Sequence, residues 1–305
     1  MARIIALLIS LIYMINFQWI EDYGNEMAML IIILAGIPHG ATDHVLTKLI
    51  NQKKEGIFPS KIILNYLGIS LVYLIVWIVS PLKGFLIFIA ISIFHFGQEY
   101  IEYLQIKSFR SILTFQWGCF VLLFPLIYHS TETVIYINEL TGVVVKPIHS
   151  SYLSIITIVW PLIVTLSIGL MFYAKKIAWP EAKRWIIDLW TLTYIFLTLP
   201  LIPAFAIFFV FWHSADTYQQ LFHFYRFNKP NWTKIDFIKS FIPLSLISFV
   251  GLILIAGLIN ISSSNLGYSW VFVFISLISL PHIFLFDNFY QNQFKMVNEK
   301  EKNFI

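Results

Sequence analysis

The sequence predicts an all-α protein, a polytopic membrane helix bundle of about ten transmembrane helices, with both termini cytoplasmic. Three observations predict it. The 305-residue chain is 59% hydrophobic and only 12% charged, against roughly 25% charge in a soluble domain. Apolar runs long enough to cross a bilayer, which takes about 18 or more residues each, recur from end to end. The basic residues between those runs fall almost wholly on alternate sides.

The spans are read in order at 3–20, 27–47, 62–80, 84–105, 110–129, 152–174, 185–200, 203–225, 239–260 and 269–290. The first has a core, Ile4 to Phe17, of signal-peptide length. Gln18-Trp19-Ile20-Glu21 follows it with no small-residue cleavage site, so it reads as a retained anchor. The next five are apolar stretches bounded by charge. Spans seven and eight are parted by Pro200-Leu201-Ile202-Pro203, a turn that neither helix could easily run through. Two further apolar runs complete the set, and residues 291–305 form a short tail of mixed charge, expected at the membrane surface. Residues 1–305 read as a single integral membrane domain, without repeats or low-complexity segments.

With the N-terminus in the cytoplasm, 18 of the 20 Lys and Arg residues lie inside and only Lys83 and Lys146 outside. Such a bias fixes orientation. The first outer loop carries Glu21, Asp22 and Glu26 and no base, in agreement. The net charge of +4 is therefore a topology signal, and no nucleic-acid partner is expected. The single cysteine, Cys119, excludes an internal disulfide and a cysteine-rich metal site.

Depth sorts the eight histidines. His129 and His149 belong to the longest outer loop, while His44 and His223 lie near the inner edge, where a hydrated imidazole needs no special role. His39, His95, His213 and His282 lie on spans two, four, eight and ten, which run in the same direction. They precede the next inner basic residue by 9, 12, 13 and 13 positions, which is roughly 14–20 Å of helix. Four histidines thus reach one layer near the midplane. A polar group in hydrocarbon costs several kcal/mol unless it finds a partner, and shared ligation of one metal by imidazoles satisfies that demand.

Each of the four is followed by a carboxylate: Asp43 after His39, Glu99 after His95, Asp216 after His213 and Asp287 after His282. The first three spacings place acid and imidazole on one helix face. Asp43 and Glu99 are candidates for orienting the ligand histidines, for binding a second metal, or for a proton relay in a carrier. Phe94 and Phe96 flank His95, Phe211 and Trp212 precede His213, and Phe208 and Phe209 lie one turn above. Such aromatic stripes most often pack or face lipid, and beside a metal they would suit a long apolar substrate.

The sequence excludes several chemistries. It has no glycine-rich phosphate loop, no G-x-S-x-G elbow, no H-E-x-x-H pair and no clustered H-x-x-H-H boxes. Every lysine lies at a span end or in a loop, leaving no seat for a buried Schiff base.

Gly36-Ile37-Pro38-His39-Gly40-Ala41-Thr42-Asp43 resembles the G-x-P-H-G-A-x-D signature of the Brp/Blh family of membrane β-carotene 15,15′-dioxygenases. Phe94-His95-Phe96-Gly97, Phe211-Trp212-His213-Ser214 and Leu280-Pro281-His282 are similar to that family's F-H-F-G, F-W-H-S and L-P-H segments. The resemblance implies a multi-pass protein of the bacterial inner membrane that uses O₂ to split β-carotene, taken from the lipid bilayer, into retinal. It implies a non-haem Fe(II) cofactor with His39, His95 and His213 as ligands. The family's fourth ligand follows in an H-S-x-R-H pattern, where this chain has Asp216 and Thr217 instead. His282, from the depth argument, is then the candidate fourth ligand. A Thr217→His change is expected to improve iron retention if three histidines are limiting. The alternatives are a carotenoid- or retinal-binding protein without cleavage activity, and a proton-coupled carrier built on the same His/acid pairs.

Overall fold

The computed structural model describes residues 2–15, 17–43, 46–47, 60–104, 106–261 and 268–303. Among these there is no strand. Twelve α-helices are described: α1 (Ala2–Ile15), α2 (Phe17–Ala41), α3 (Ser60–Val79), α4 (Pro81–Tyr103), α5 (Arg110–Tyr128), α6 (Ser130–Thr141), α7 (Ser150–Tyr173), α8 (Trp179–Thr198), α9 (Leu201–Phe208), α10 (Ala215–Asn228), α11 (Lys234–Ile261) and α12 (Tyr268–Asn303). A π-helical turn, Phe209–Ser214, joins α9 to α10.

Six of the described helical stretches are long and apolar enough to cross a membrane: Tyr23–Ala41, Pro81–Tyr103, Arg110–Tyr128, Ser150–Tyr173, Leu201–Phe227 and Lys234–Leu254. Arg3–Tyr13, Leu64–Val79 and Phe272–Asp287 are shorter apolar helices. Several boundaries differ from the sequence reading. Residues 21–26, expected in an outer loop, lie within α2, and α12 carries its helix through the expected tail to Asn303. Helix α2 ends at Ala41, where the expected span ran to residue 47. His44 and the basic residues Lys48, Lys53 and Lys54 lie outside the described residues.

The break between spans seven and eight is as the prolines require. Helix α8 ends at Thr198, Leu199 is extended at φ −106°, ψ 151°, and α9 restarts after Pro200. The Leu201 N–H, one of the donors a helix start leaves open, is taken by Glu132 Oε2 at 3.3 Å. Glu132 also pairs with His129, whose Nε2 meets the Phe196 carbonyl oxygen at 2.9 Å. His129 is thus satisfied structurally.

The chain forms two compact units, each described by itself: Met1–Leu34 with Ser92–Thr217, and Ala35–Ile91 with Tyr218–Ile305. In the first, Tyr100 stacks on Trp117 at 4.1 Å, and both rings abut Trp185. The crossing of α4 and α5 is closer than side chains allow. A Cβ on Gly97 would lie 1.8 Å from the Thr114 carbonyl oxygen, and one on Gly118 would lie 1.7 Å from that of Ile93. Two glycines therefore let the helices meet backbone to backbone, as small residues do in membranes. Gly97 closes the segment that bears His95.

In the second unit α3 packs along α12. Pro281 lacks an N–H, which leaves the Leu277 carbonyl without its donor four residues on. Ser70 Oγ supplies one at 2.9 Å, and Trp77 Nε1 donates to Ser276 Oγ at 3.0 Å one position earlier. Leu46, Leu221, Phe224, Tyr225, Phe237, Phe286, Phe289 and Tyr290 form an apolar cluster in the same unit.

Candidate functional site

His39, His95, His213 and His282 are all buried, each 3–5% exposed. The structure brings them together as two pairs, one within each unit.

In the second unit, His39 Nε2 lies 3.1 Å from His282 Nε2. The other nitrogen of His282, Nδ1, is 2.8 Å from Asp43 Oδ1. A carboxylate is an acceptor, so it fixes the Nδ1–H tautomer and leaves a lone pair on Nε2. Asp43 Oδ2 in turn accepts from the Tyr66 hydroxyl at 3.0 Å, and that hydroxyl also lies 3.1 Å from the Ile278 carbonyl oxygen. Phe286 stacks near His39 and tilts against His282, with ring centroids 6.0 and 4.5 Å away.

In the first unit, the His95 and His213 rings meet edge to face with centroids 5.1 Å apart. His213 Nδ1 bonds to Glu99 Oε2, and Glu99 Oε1 accepts from Thr217 Oγ1 at 2.6 Å. His213 lies in the π turn, an irregularity often found at functional sites. Phe96 packs on both histidines, and Phe209 tilts against His213 at 5.1 Å. Phe94, by contrast, is 45% exposed and turns outward.

One reading of the local His/acid spacings was that Asp43 and Glu99 orient the histidines that precede them. The contacts run otherwise. Asp43 follows His39 but binds His282, and Glu99 follows His95 but binds His213. Asp216 follows His213 yet belongs to a different network. Arg3 of α1 holds it through Nη1 and Nη2 at 2.8 and 2.6 Å, and holds Asp188 through Nε at 3.2 Å. Arg3 Nη1 also donates to the Phe211 carbonyl in the π turn, and its guanidinium lies 5.1 Å over the Trp212 ring. Tyr100 donates to Asp188 at 2.8 Å. A residue read in the sequence only as an inner positive charge thus braces the segment that carries His213. Tyr66 and the contact of Thr217 were likewise absent from the sequence reading: Tyr66 occupies no motif position, and Thr217 was read only for the histidine it replaces.

The donor chemistry of the pairs fits a transition metal. Two nitrogens about 2.1 Å from one ion stand about 3.0–3.4 Å apart for bond angles between about 90° and 109°, and His39 and His282 present theirs at 3.1 Å. Neutral imidazoles braced by carboxylates are the form in which histidine ligates. Among the described residues no group of three or more His, Cys, Asp or Glu side chains is disposed to hold an ion. Each unit therefore offers a pair of imidazoles and not a finished set.

An apolar groove of about 610 Å³ in the second unit is lined by Leu64, Asn65, Gly68, Ile69, Val72, Tyr73, Val76, Leu280 and Phe284. Leu280 and Phe284 stand two residues to either side of His282 on α12, so they share a face turned away from the imidazole.

A family profile described as beta-carotene 15,15′-dioxygenase matches residues 30–290. A beta-carotene 15,15′-dioxygenase of uncultured marine bacterium 66A03 is 26% identical over 271 residues, covering 85% of this chain and 92% of that protein. No solved structure matches.

Proposed function

The chain belongs to the beta-carotene 15,15′-dioxygenase family, and on that premise we propose that it cleaves a carotenoid, β-carotene to two molecules of retinal, with O₂. One double bond breaks and each carbon takes one oxygen atom, so both atoms of O₂ are consumed. The proposed cofactor is Fe(II), with His39, His95, His213 and His282 as ligands, and it would supply the activation of O₂. The protein's own residues do the rest. Asp43 and Glu99 hold His282 and His213 in one tautomer. Phe96, Phe209 and Phe286 give the imidazoles an apolar surround that suits a polyene.

The observation that carries this reading is the His39–His282 contact with Asp43 behind it, in a chain whose family cleaves carotenoids. We place the protein in the bacterial inner membrane, taking substrate from the bilayer, with ten spans and both termini cytoplasmic. That topology rests on the charge bias of its loops, and reporter fusions at the termini test it.

Expression in β-carotene-accumulating cells, with retinal measured by chromatography, tests the activity. Retinal should appear with the wild type and vanish with His39→Ala and His213→Ala. Copurifying pigment without retinal would favour a carotenoid-binding protein, the reading to which Thr217, in place of the family's fourth histidine, lends support. Uptake that tracks pH, with neither pigment nor retinal, would favour a carrier.

A further inference from the structure

Both His/carboxylate contacts end in a hydroxyl. In one, His282 Nδ1 meets Asp43 Oδ1 and Tyr66 donates to Oδ2. In the other, His213 Nδ1 meets Glu99 Oε2 and Thr217 donates to Oε1. The two hydroxyls come from different residue types in different units, yet each takes the carboxylate oxygen that the imidazole leaves over.

Thr217 differs from the threonines inside helices that bond back to their own backbone. The hydroxyls of Thr141, Thr165, Thr193 and Thr198 all return to a carbonyl four residues back on their own helix. That is the usual way for a helix in an apolar setting to satisfy them. Thr217, 1% exposed, instead reaches Glu99 on α4. A buried carboxylate with one bare oxygen is costly and free to rotate. With both oxygens held, its plane is fixed, and so is the ring that donates to it.

We propose that Thr217 and Tyr66 are positioning residues for the metal: each locks the carboxylate that sets the tautomer and aim of a ligand histidine, Thr217 through Glu99 to His213 and Tyr66 through Asp43 to His282. On this account Thr217 is no vacant ligand position. The chain has exchanged a ligand there for a hydroxyl that steadies another ligand. This role rests on His213 and His282 being ligands, as in the proposed function.

The test uses the full chain, purified in detergent and stripped of metal by chelator. Co(II) affinity is measured by competition with a chelating dye for wild type, Thr217→Val, Thr217→Ser and Tyr66→Phe. Thr217→Val and Tyr66→Phe should each bind roughly 10–100-fold more weakly, the usual effect of removing such outer partners, and Thr217→Ser should restore binding. A lower thermal midpoint with unchanged Co(II) affinity would make the hydroxyls merely structural and overturn the proposal. If the wild type itself fails to bind Co(II), the ligand assignment fails. The hydroxyl role is then read in the metal-free protein from the ¹⁵N shifts of its labelled histidines. Conversion of the Nδ1–H form of His213 to a mixture in Thr217→Val sustains it, and an unaltered spectrum refutes it.

Discussion

Asp43 Oδ1 accepts from His282 Nδ1 at 2.8 Å, across 239 residues of sequence, although His39 stands only four residues before Asp43 on α2. The acid thus bonds to a histidine from a distant part of the chain, and the imidazole of its own motif meets that same histidine at the other ring nitrogen. His39 approaches His282 at Nε2, and Asp43 approaches it at Nδ1. Asp43→Asn keeps the shape and replaces an acceptor oxygen by a donor in one orientation. It should weaken metal binding about 10–100-fold while leaving the helical circular dichroism unchanged. Metal competition on the purified variant measures it.

Thr217→His would introduce the imidazole that the family pattern has at this position. From the sequence, a gain in iron retention was expected if three histidines were limiting. The contacts predict a loss, because the substitution removes the hydroxyl from Glu99 and forces a larger ring into a site that is 1% exposed. Iron per chain after identical purification distinguishes the two outcomes.

Arg3 lies outside the matched residues 30–290 and is nevertheless bound to Asp188 and Asp216, both nearly fully buried. Arg3→Ala would leave two buried carboxylates with one guanidinium fewer. Removing one partner of a buried ion pair costs about 3–5 kcal/mol. We expect a large fall in the thermal midpoint in detergent. Arg3→Lys should recover only part of it, since an ammonium cannot make the forked contact to Asp216.

Gly118→Ala adds one methyl group where the nearest atom is the Ile93 carbonyl oxygen, 1.7 Å from the new Cβ. Backbone cannot yield as a side chain can, so α4 and α5 must separate. The cost should reach or exceed the ~1–3 kcal/mol typical of overpacking. Gly169→Ala, with nothing within 4 Å of the added carbon, is the matched control and should be neutral. Yield and thermal midpoint of the two variants give the comparison.

Much of this was legible in the sequence because hydrocarbon permits few solutions. The helical class, the break at Pro200 and the burial of four histidines follow from hydropathy, proline chemistry and the cost of a polar group in an apolar medium. Partner choice was not legible. A spacing of four residues places Asp43 near His39 but says nothing of α12, whose His282 arrives from the other end of the chain. Arg3 was counted as a surface charge because the rule that orients helices is blind to tertiary contact. Thr217 looked like a deficit because a pattern registers the missing imidazole and not the hydroxyl bond to Glu99. The start of α2 was missed for a related reason: Glu21, Asp22 and Glu26 are unfavourable in hydrocarbon, yet a helix can project beyond it.

The measurement that bears most directly on the histidine-ligated iron is metal content of the purified chain, determined alongside single alanine variants of His39, His95, His213 and His282. The account predicts one iron per wild-type chain and its loss whenever a member of either pair is replaced. Retinal formation by a wild-type chain that contains no metal, or full iron retention after replacement of His39 or His213, would contradict it.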